Sequence, residues 1–87
     1  MDRYKIASDV FATEADGGMS VLLKYETGDF YTLDEVGTFI WTRLDKEQAL
    51  EDIVASLCSE YDVGPQQAYR DIEQLVETLI QNGLVTR

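Results

Sequence analysis

Histidine and cysteine, two side chains that often act in catalysis and metal binding, are nearly absent from this chain of 87 residues. The sequence has no histidine, the commonest general base and metal ligand. Its one cysteine, Cys58, falls on a predicted apolar helix stripe, so we interpret it as a core residue and not as a nucleophile. Glu47, Glu51 and Asp52 could bind a cation weakly, but they lack the ligand order of a calcium loop. A solvated helix face is the preferred interpretation of these acids.

The glycines do not form a nucleotide-binding pattern either. Gly17 and Gly18 lie together in a predicted turn, while Gly28 and Gly37 are isolated, so neither a phosphate loop nor a dinucleotide fingerprint is present. With no candidate nucleophile, base or metal cluster, we expect a protein that is not an enzyme and that uses no metal and no cofactor. Its function is then expected to lie in binding.

Charge narrows the choice of binding partner. The chain has 17 acidic residues against seven basic ones, a net charge of −10. Such a surface repels nucleic acid phosphates and anionic membranes, and it favours a neutral or basic partner. Composition alone leaves open whether the acidity serves anything beyond solubility.

Length and hydropathy predict a single domain over residues 1–87 and a cytoplasmic location. No apolar run approaches the ~18–20 residues that are needed to cross a bilayer. The first residues, MDRYKIASDVF, lack the apolar segment of a signal peptide. One cysteine cannot form an internal disulfide, which fits a reducing compartment. We expect no membrane partner.

The first third of the chain predicts three short antiparallel strands, because β-forming segments alternate with glycine-containing turns. The predicted segments are Tyr4–Ala7 with Val10–Ala12 as a first strand interrupted at Ser8–Asp9, then Met19–Lys24, then Phe30–Leu33. In the third strand Tyr31 and Leu33 share one face, and Phe30 and Thr32 share the other.

Three helices are predicted to follow. Asp34 is a suitable N-cap for the first helix, and Pro65 is suited to the first position of the third, which is expected to end near Gln81. The second helix has a clear apolar stripe, formed by Leu50, Ile53, Val54, Leu57, Cys58 and Tyr61. Leu84 and Val85 are expected to return to the core as a short extended end. This order predicts an α+β fold of the winged helix-turn-helix type, with a three-stranded antiparallel sheet followed by three helices.

Two binding classes are compatible with such a fold, and charge separates them. A DNA-binding protein needs basic residues on its recognition helix. The third helix has Arg70 and three acidic residues, so its net charge is −2. Peptide binding needs only an open strand edge and an apolar wall. The third helix has an extra apolar flank, formed by Tyr69, Val76 and Ile80, which either lines such a cleft or packs on the rest of the core. Periodicity leaves these two alternatives open.

Residues 28–41, GDFYTLDEVGTFIW, resemble the signature of PqqD-like proteins, also called RiPP recognition elements. That pattern is a turn Gly, then Tyr-x-Leu-Asn, then x-x-Gly-x-x-Ile-Trp, and it is matched by Gly28, Tyr31, Leu33, Gly37, Ile40 and Trp41, with Asp34 where Asn is usual. Weaker matches continue in order over about residues 19–86. The chain departs from the family at 45–49, where Asp-Gly and a Thr or Ser cap are usual. The second helix therefore either follows a tighter loop or starts earlier with Asp45 as its cap.

The resemblance implies a non-catalytic protein that binds the leader segment of a ribosomally made precursor peptide and delivers it to a processing enzyme. The leader is expected to add as an antiparallel strand to the third strand, in a cleft bounded by the third helix. On this sequence the implied strand positions are Asp29, Phe30, Tyr31, Thr32 and Leu33. The helix positions, inferred from the apolar flank, are Tyr69, Ile72, Glu73 and Val76.

The implied enzyme partner differs between two groups of stand-alone relatives. The signature is more similar to the group that works with a leader peptidase in lasso peptide assembly. The alternative is the group that serves a radical SAM enzyme, as in pyrroloquinoline quinone synthesis. A third hypothesis, from a different class, is a structural adaptor that docks an enzyme through its helices and binds no peptide.

Overall fold

A computed structural model describes residues 4–87 of the chain. The elements follow in the order β1 (Lys5–Ile6), β2 (Val10–Glu14), β3 (Ser20–Lys24), β4 (Asp29–Leu33), α1 (Glu35–Asp45), α2 (Leu50–Glu60), α3 (Pro65–Gln81) and β5 (Val85–Thr86). A short 3-10 turn at Asp16–Gly18 joins β2 to β3. The predicted α+β order, a three-stranded antiparallel sheet followed by three helices, is confirmed.

The three-stranded sheet has the order β2-β3-β4, with both pairs antiparallel. Because side chains alternate between faces, Leu22 of β3 and its partner Tyr31 of β4 point to the core, while Leu23 and its partner Phe30 point outward. Burial follows this alternation, since Leu22 and Leu33 are buried and Phe30 is exposed. The predicted division of β4 into two faces is therefore confirmed.

The two ends of the described chain form a separate small sheet. Lys5 pairs with Thr86 and Ile6 pairs with Val85, in antiparallel register. The expectation of one interrupted first strand is wrong, because β1 and β2 belong to different sheets. The interruption at Ser8–Asp9 is the turn at which the chain changes sheet. The predicted return of the chain end is confirmed, since Leu84 and Val85 are buried.

Capping and first-turn residues determine where the helices α1 and α3 begin. Asp34 caps α1, because its Oδ1 accepts a hydrogen bond of 2.7 Å from the Gly37 N–H. Pro65 occupies the first turn of α3, as predicted. Asp45 is the last residue of α1, so the earlier start of the second helix with Asp45 as cap is wrong. Helix α2 begins at Leu50 after Ala49, which makes no side-chain cap.

The core lies between the inner face of the sheet and the three helices. Its fully buried side chains come from the sheet, from all three helices and from the chain end, and they are Leu22, Ile40, Leu44, Ile53, Leu57, Ile72, Leu84 and Val85. Among residues 4–87, no helix is long and apolar enough to cross a membrane.

Candidate functional site

Strand β4 lies at an edge of the three-stranded sheet, with β3 on one side only. Within the described part of the chain, no strand pairs with its other side. An edge strand of this kind presents unpaired N–H and C=O groups, which can accept an added strand.

The hydrogen bonds of β2 and β3 determine which groups of β4 are open. Ala15 N–H donates to Met19 O at 2.8 Å, and Tyr25 N–H donates to Asp9 O at 2.9 Å. Each residue of an antiparallel strand directs both backbone groups to one side, and neighbouring residues alternate. Residues 19, 21, 23 and 25 therefore face β2, and residues 20, 22 and 24 face β4.

The same alternation continues into β4. The partners of residues 20, 22 and 24 are Leu33, Tyr31 and Asp29, so the backbone groups of these three residues face β3. The N–H and C=O groups of Phe30 and Thr32 consequently face the open edge. Of the five strand positions predicted from the sequence, two thus offer their backbone, while Tyr31 and Leu33 hold the strand on the core.

A cleft begins where β4 ends, between the first turns of α1 and the middle of α3. We call it the α1–α3 cleft. Its volume is about 580 Å³, and its lining residues are Asp34, Val36, Gly37, Ile40, Asp71, Gln74, Leu75 and Thr78. At its α1 side a Cβ on Gly37 would lie 3.1 Å from Asp34 Oδ1 and 3.3 Å from Leu33 Cβ. The start of α1 therefore packs closely on the end of β4, which places the cleft next to the strand.

The α1–α3 cleft is acidic. Asp34 accepts the capping hydrogen bond from Gly37, and Asp71 Oδ1 accepts a hydrogen bond of 2.8 Å from Gln67 Nε2. No lysine or arginine of residues 4–87 is among the lining side chains. A basic group entering the cleft would therefore meet two carboxylates without displacing a basic side chain from the lining.

Tyr61 stays a neutral donor near the start of α1. Burial, followed by the charge of Glu35, raises the pKa of its phenol above the ordinary value of 10.0. Its hydroxyl donates to Glu35 Oε2 at 3.3 Å. This contact joins the end of α2 to the first turn of α1.

The helix positions predicted from the sequence divide between the core and a second groove. Ile72 and Val76 are 0% and 3% exposed, so both belong to the core of α3. Tyr69 is 43% exposed and, with Glu73, lines a groove of about 470 Å³ against Val54 of α2. The two grooves share no lining residue. Of the apolar flank, Val76 and the half-buried Ile80 pack in the core, and Tyr69 does not.

The α3 side of the α1–α3 cleft was not among the site residues predicted from the sequence. Asp71, Gln74, Leu75 and Thr78 follow one another at i, i+3, i+4 and i+7, which is one helix face. Only Leu75 is apolar, so hydropathy gave no sign of this face. The spacing of short polar residues around one leucine was the available signal.

Across residues 4–87, no three His, Cys, Asp or Glu side chains are grouped to hold a metal ion. Cys58 is half-buried and packs against the core, which agrees with its interpretation as a core residue. The arrangement of an open strand edge beside a cleft is suited to binding an extended chain.

Fold and site together define a small α+β fold with an open strand edge at β4. The family model of coenzyme PQQ synthesis protein D (PqqD) matches residues 20–85, from the start of β3 to the start of β5. The chain therefore belongs to the PqqD family. No curated protein matches the sequence significantly.

Two solved structures are similar to the chain over nearly its whole length. TbiB1 in complex with the TbiA(beta) leader peptide is 33% identical, with a TM-score of 0.87, and the match covers 93% of each chain. Lasso peptide synthetase B1 complexed with the leader peptide is 30% identical, with a TM-score of 0.89, and the match covers 97% of this chain and 98% of that one. Both relatives were thus solved with a leader peptide bound.

Proposed function

We propose that this protein binds the leader segment of a ribosomally synthesised precursor peptide and delivers it to a processing enzyme. The observation that carries the proposal is the open edge of β4, where the backbone groups of Phe30 and Thr32 face outward beside the α1–α3 cleft. The two similar structures were solved with leader peptides, which supports the same ligand class here.

The binding mode is strand addition to β4. Phe30 and Thr32 supply two N–H donors and two C=O acceptors, and each hydrogen bond formed contributes a net ~0.5–1.5 kcal/mol. Apolar leader side chains that reach the α1–α3 cleft contribute roughly 1.5–3 kcal/mol each. The entropy lost on association offsets much of this sum, so we expect a dissociation constant between about nanomolar and micromolar.

The acidic lining favours a leader that has Lys or Arg. Asp34 and Asp71 lie on opposite sides of the cleft, one before α1 and one on α3. A cationic side chain between them gains Coulomb energy that an acidic one would lose. A leader with basic residues near its apolar anchors is therefore the preferred ligand.

We propose a leader peptidase of lasso peptide assembly as the enzyme partner, working with this protein in the cytoplasm. The observation in favour is that one similar structure is a lasso peptide synthetase B1. A PqqD-type role beside a radical SAM enzyme is the second candidate, and the description of the matching family model favours it. The genes beside this one, encoding either a peptidase with a cyclase or a radical SAM enzyme, separate the two.

The first prediction tests the edge with two matched proline variants. Thr32→Pro removes an N–H that faces the open edge of β4, while Ala12→Pro removes the equivalent outward N–H of β2, at the other edge of the sheet. A labelled synthetic leader peptide of the precursor encoded beside this gene is titrated into each protein. We expect Thr32→Pro to weaken binding at least about tenfold and Ala12→Pro to bind like the parent.

Circular dichroism and urea unfolding confirm that both proline variants are folded. Equal affinities of the two folded variants and the parent would show that the β4 edge is not the binding site. A parent protein that does not bind the leader at all would overturn the proposed function itself.

A further inference from the structure

The outer face of the sheet has two rows of side chains that run across all three strands. Phe11, Leu23 and Phe30 form the first row, because Leu23 pairs with Phe11 on one side and with Phe30 on the other. Thr13, Val21 and Thr32 form the second row in the same way. Both rows end at the open edge of β4, so an added strand would extend each of them by one residue.

The two aromatic residues of the first row differ in their surroundings. Phe11 is 55% exposed and meets the ring of Tyr25 edge-on, with 4.9 Å between the ring centroids. Phe30 is 69% exposed, and no aromatic ring of residues 4–87 stacks on it. The side of Phe30 away from Leu23 faces the open edge.

An exposed aromatic residue on an open edge strand promotes aggregation. Sheet edges are usually protected by charged residues or proline. The one charged residue of β4 is Asp29 at its first position, and residues 30–33 contain neither a charged residue nor a proline. The position is therefore one where a bound chain would cover both the open backbone and the exposed ring.

We propose that Phe30 is a specificity-determining residue that selects an apolar side chain on the leader strand. This inference rests on the proposed function. The backbone of Phe30 faces the edge, so one leader residue forms a hydrogen-bonded pair with it, and their Cβ atoms lie about 5 Å apart on the outer face. The leader is then recognised from both sides, by the α1–α3 cleft on one face and by Phe30 on the other.

The composition of the rows determines the side chains that fit. The row of Phe11, Leu23 and Phe30 is entirely apolar, so the residue paired with Phe30 is an aromatic or large aliphatic one. The leader residue two positions away pairs with Thr32 and continues the row of β-branched side chains. We therefore expect this leader residue to be β-branched as well. Aromatic and β-branched cross-strand pairs are the stabilising ones in sheets.

A peptide strand fits this face better than a second copy of the protein does. A stable dimer needs about 800 Å² on each partner, while the exposed aromatic side chains of this face are three rings, those of Phe11, Tyr25 and Phe30. Two copies would also bring together two net charges of −10. A leader strand meets neither obstacle, because its backbone hydrogen bonds supply most of the contact.

The test compares two substitutions that keep a β-forming residue on the outer face. Phe30→Thr removes the ring at the open edge, and Phe11→Thr removes the equivalent ring at the far edge. Each protein is titrated with the synthetic leader and with single-alanine versions of it. We expect Phe30→Thr to bind the leader about five- to tenfold more weakly and Phe11→Thr to bind it like the parent.

The alanine versions identify the paired residue. One apolar leader position should lose its effect on affinity in Phe30→Thr and keep it in Phe11→Thr. Equal leader binding by Phe30→Thr and the parent would overturn the inference, while the proposed function would stand. Sedimentation showing a parent dimer that Phe30→Thr abolishes would also overturn it, because the ring would then serve self-association.

Discussion

At the scale of single residues, one basic side chain connects three parts of the chain. Lys24 of β3 donates to Asp9 Oδ2 at 2.9 Å and to the carbonyl oxygen of Gly83 at 3.0 Å. Gly83 follows α3 with a φ of 72°, and a Cβ there would lie 3.3 Å from Lys24 Cε. A side chain at position 83 would therefore strain the backbone and press on Lys24. This contact fixes the sheet to the end of α3.

The second prediction concerns the pH dependence of this contact. The hydrogen bond from Lys24 holds the pKa of Asp9 below its ordinary value of 3.8. A carboxylate whose pKa is lowered by folding stabilises the protein fully above the unfolded value, and this contribution disappears as pH falls through the folded value. We expect the parent to be more stable than Asp9→Asn at neutral pH and the difference to shrink below a pH of about 3.8.

Urea unfolding of both proteins at a series of pH values measures this difference. The comparison isolates Asp9 from the other carboxylates, which are common to the two proteins. A stability difference that stays constant from neutral to strongly acidic pH would show that the Lys24 contact is not ionic.

At the scale of elements, β4 and α3 make different contributions to the candidate site. Strand β4 provides the open backbone, and its inward residues Tyr31 and Leu33 hold it against the core. Helix α3 buries Ala68, Ile72, Val76 and Leu79 on one stripe and leaves a groove on each side of it. Which groove the leader uses determines which α3 residues it contacts.

The third prediction separates the two grooves of α3. Leu75→Ser removes the apolar side chain that α3 contributes to the α1–α3 cleft, and Tyr69→Ser removes the exposed ring of the second groove. We expect Leu75→Ser to weaken leader binding about tenfold, because an apolar contact is lost. Tyr69→Ser should have a smaller effect, because its groove includes no residue of β4 or α1.

Leader titration measures both affinities, and urea unfolding checks that the half-buried Leu75 position tolerates the change. The opposite order of effects would favour the helix contacts predicted from the sequence, Tyr69 and Glu73. Ile72 and Val76 are unsuitable for this comparison, because their substitution disturbs the core before it alters a surface.

At the scale of the whole molecule, the dominant property is the net charge of −10. This charge disfavours nucleic acids and steers basic chains toward the protein over distances comparable to the Debye length, about 10 Å at 0.1 M salt. The acids that line the α1–α3 cleft are then the local part of a field that extends over the whole surface.

The fourth prediction is that leader binding depends on salt. We expect affinity for a leader with Lys or Arg to fall several-fold between about 0.05 M and 0.5 M sodium chloride, mainly through slower association. Asp71→Asn, which removes one charge from the cleft, should make the dependence shallower. The control is the same leader with its basic residues replaced by glutamine, which should bind without this dependence. Identical affinities at both salt concentrations would show that charge does not contribute to leader binding.

The sequence by itself determined the order and type of the elements. A capping aspartate, a proline in the first helical turn, glycine turns and apolar periodicity act over a few residues, and each depends on the local geometry of the backbone. For this reason the cap at Asp34 and the start of α3 at Pro65 were predictable. The two faces of β4 were predictable from its alternation as well.

The tertiary structure alone decided features that join distant parts of the chain. The pairing of Lys5 with Thr86, the open backbone of Phe30 and Thr32, and the α3 face that lines the cleft all belong to this class. Strand register and helix rotation are set by the packing of many side chains at once, and no short segment contains that information. The candidate site therefore combines residues that could be identified from the sequence with backbone directions that only the packed core determines.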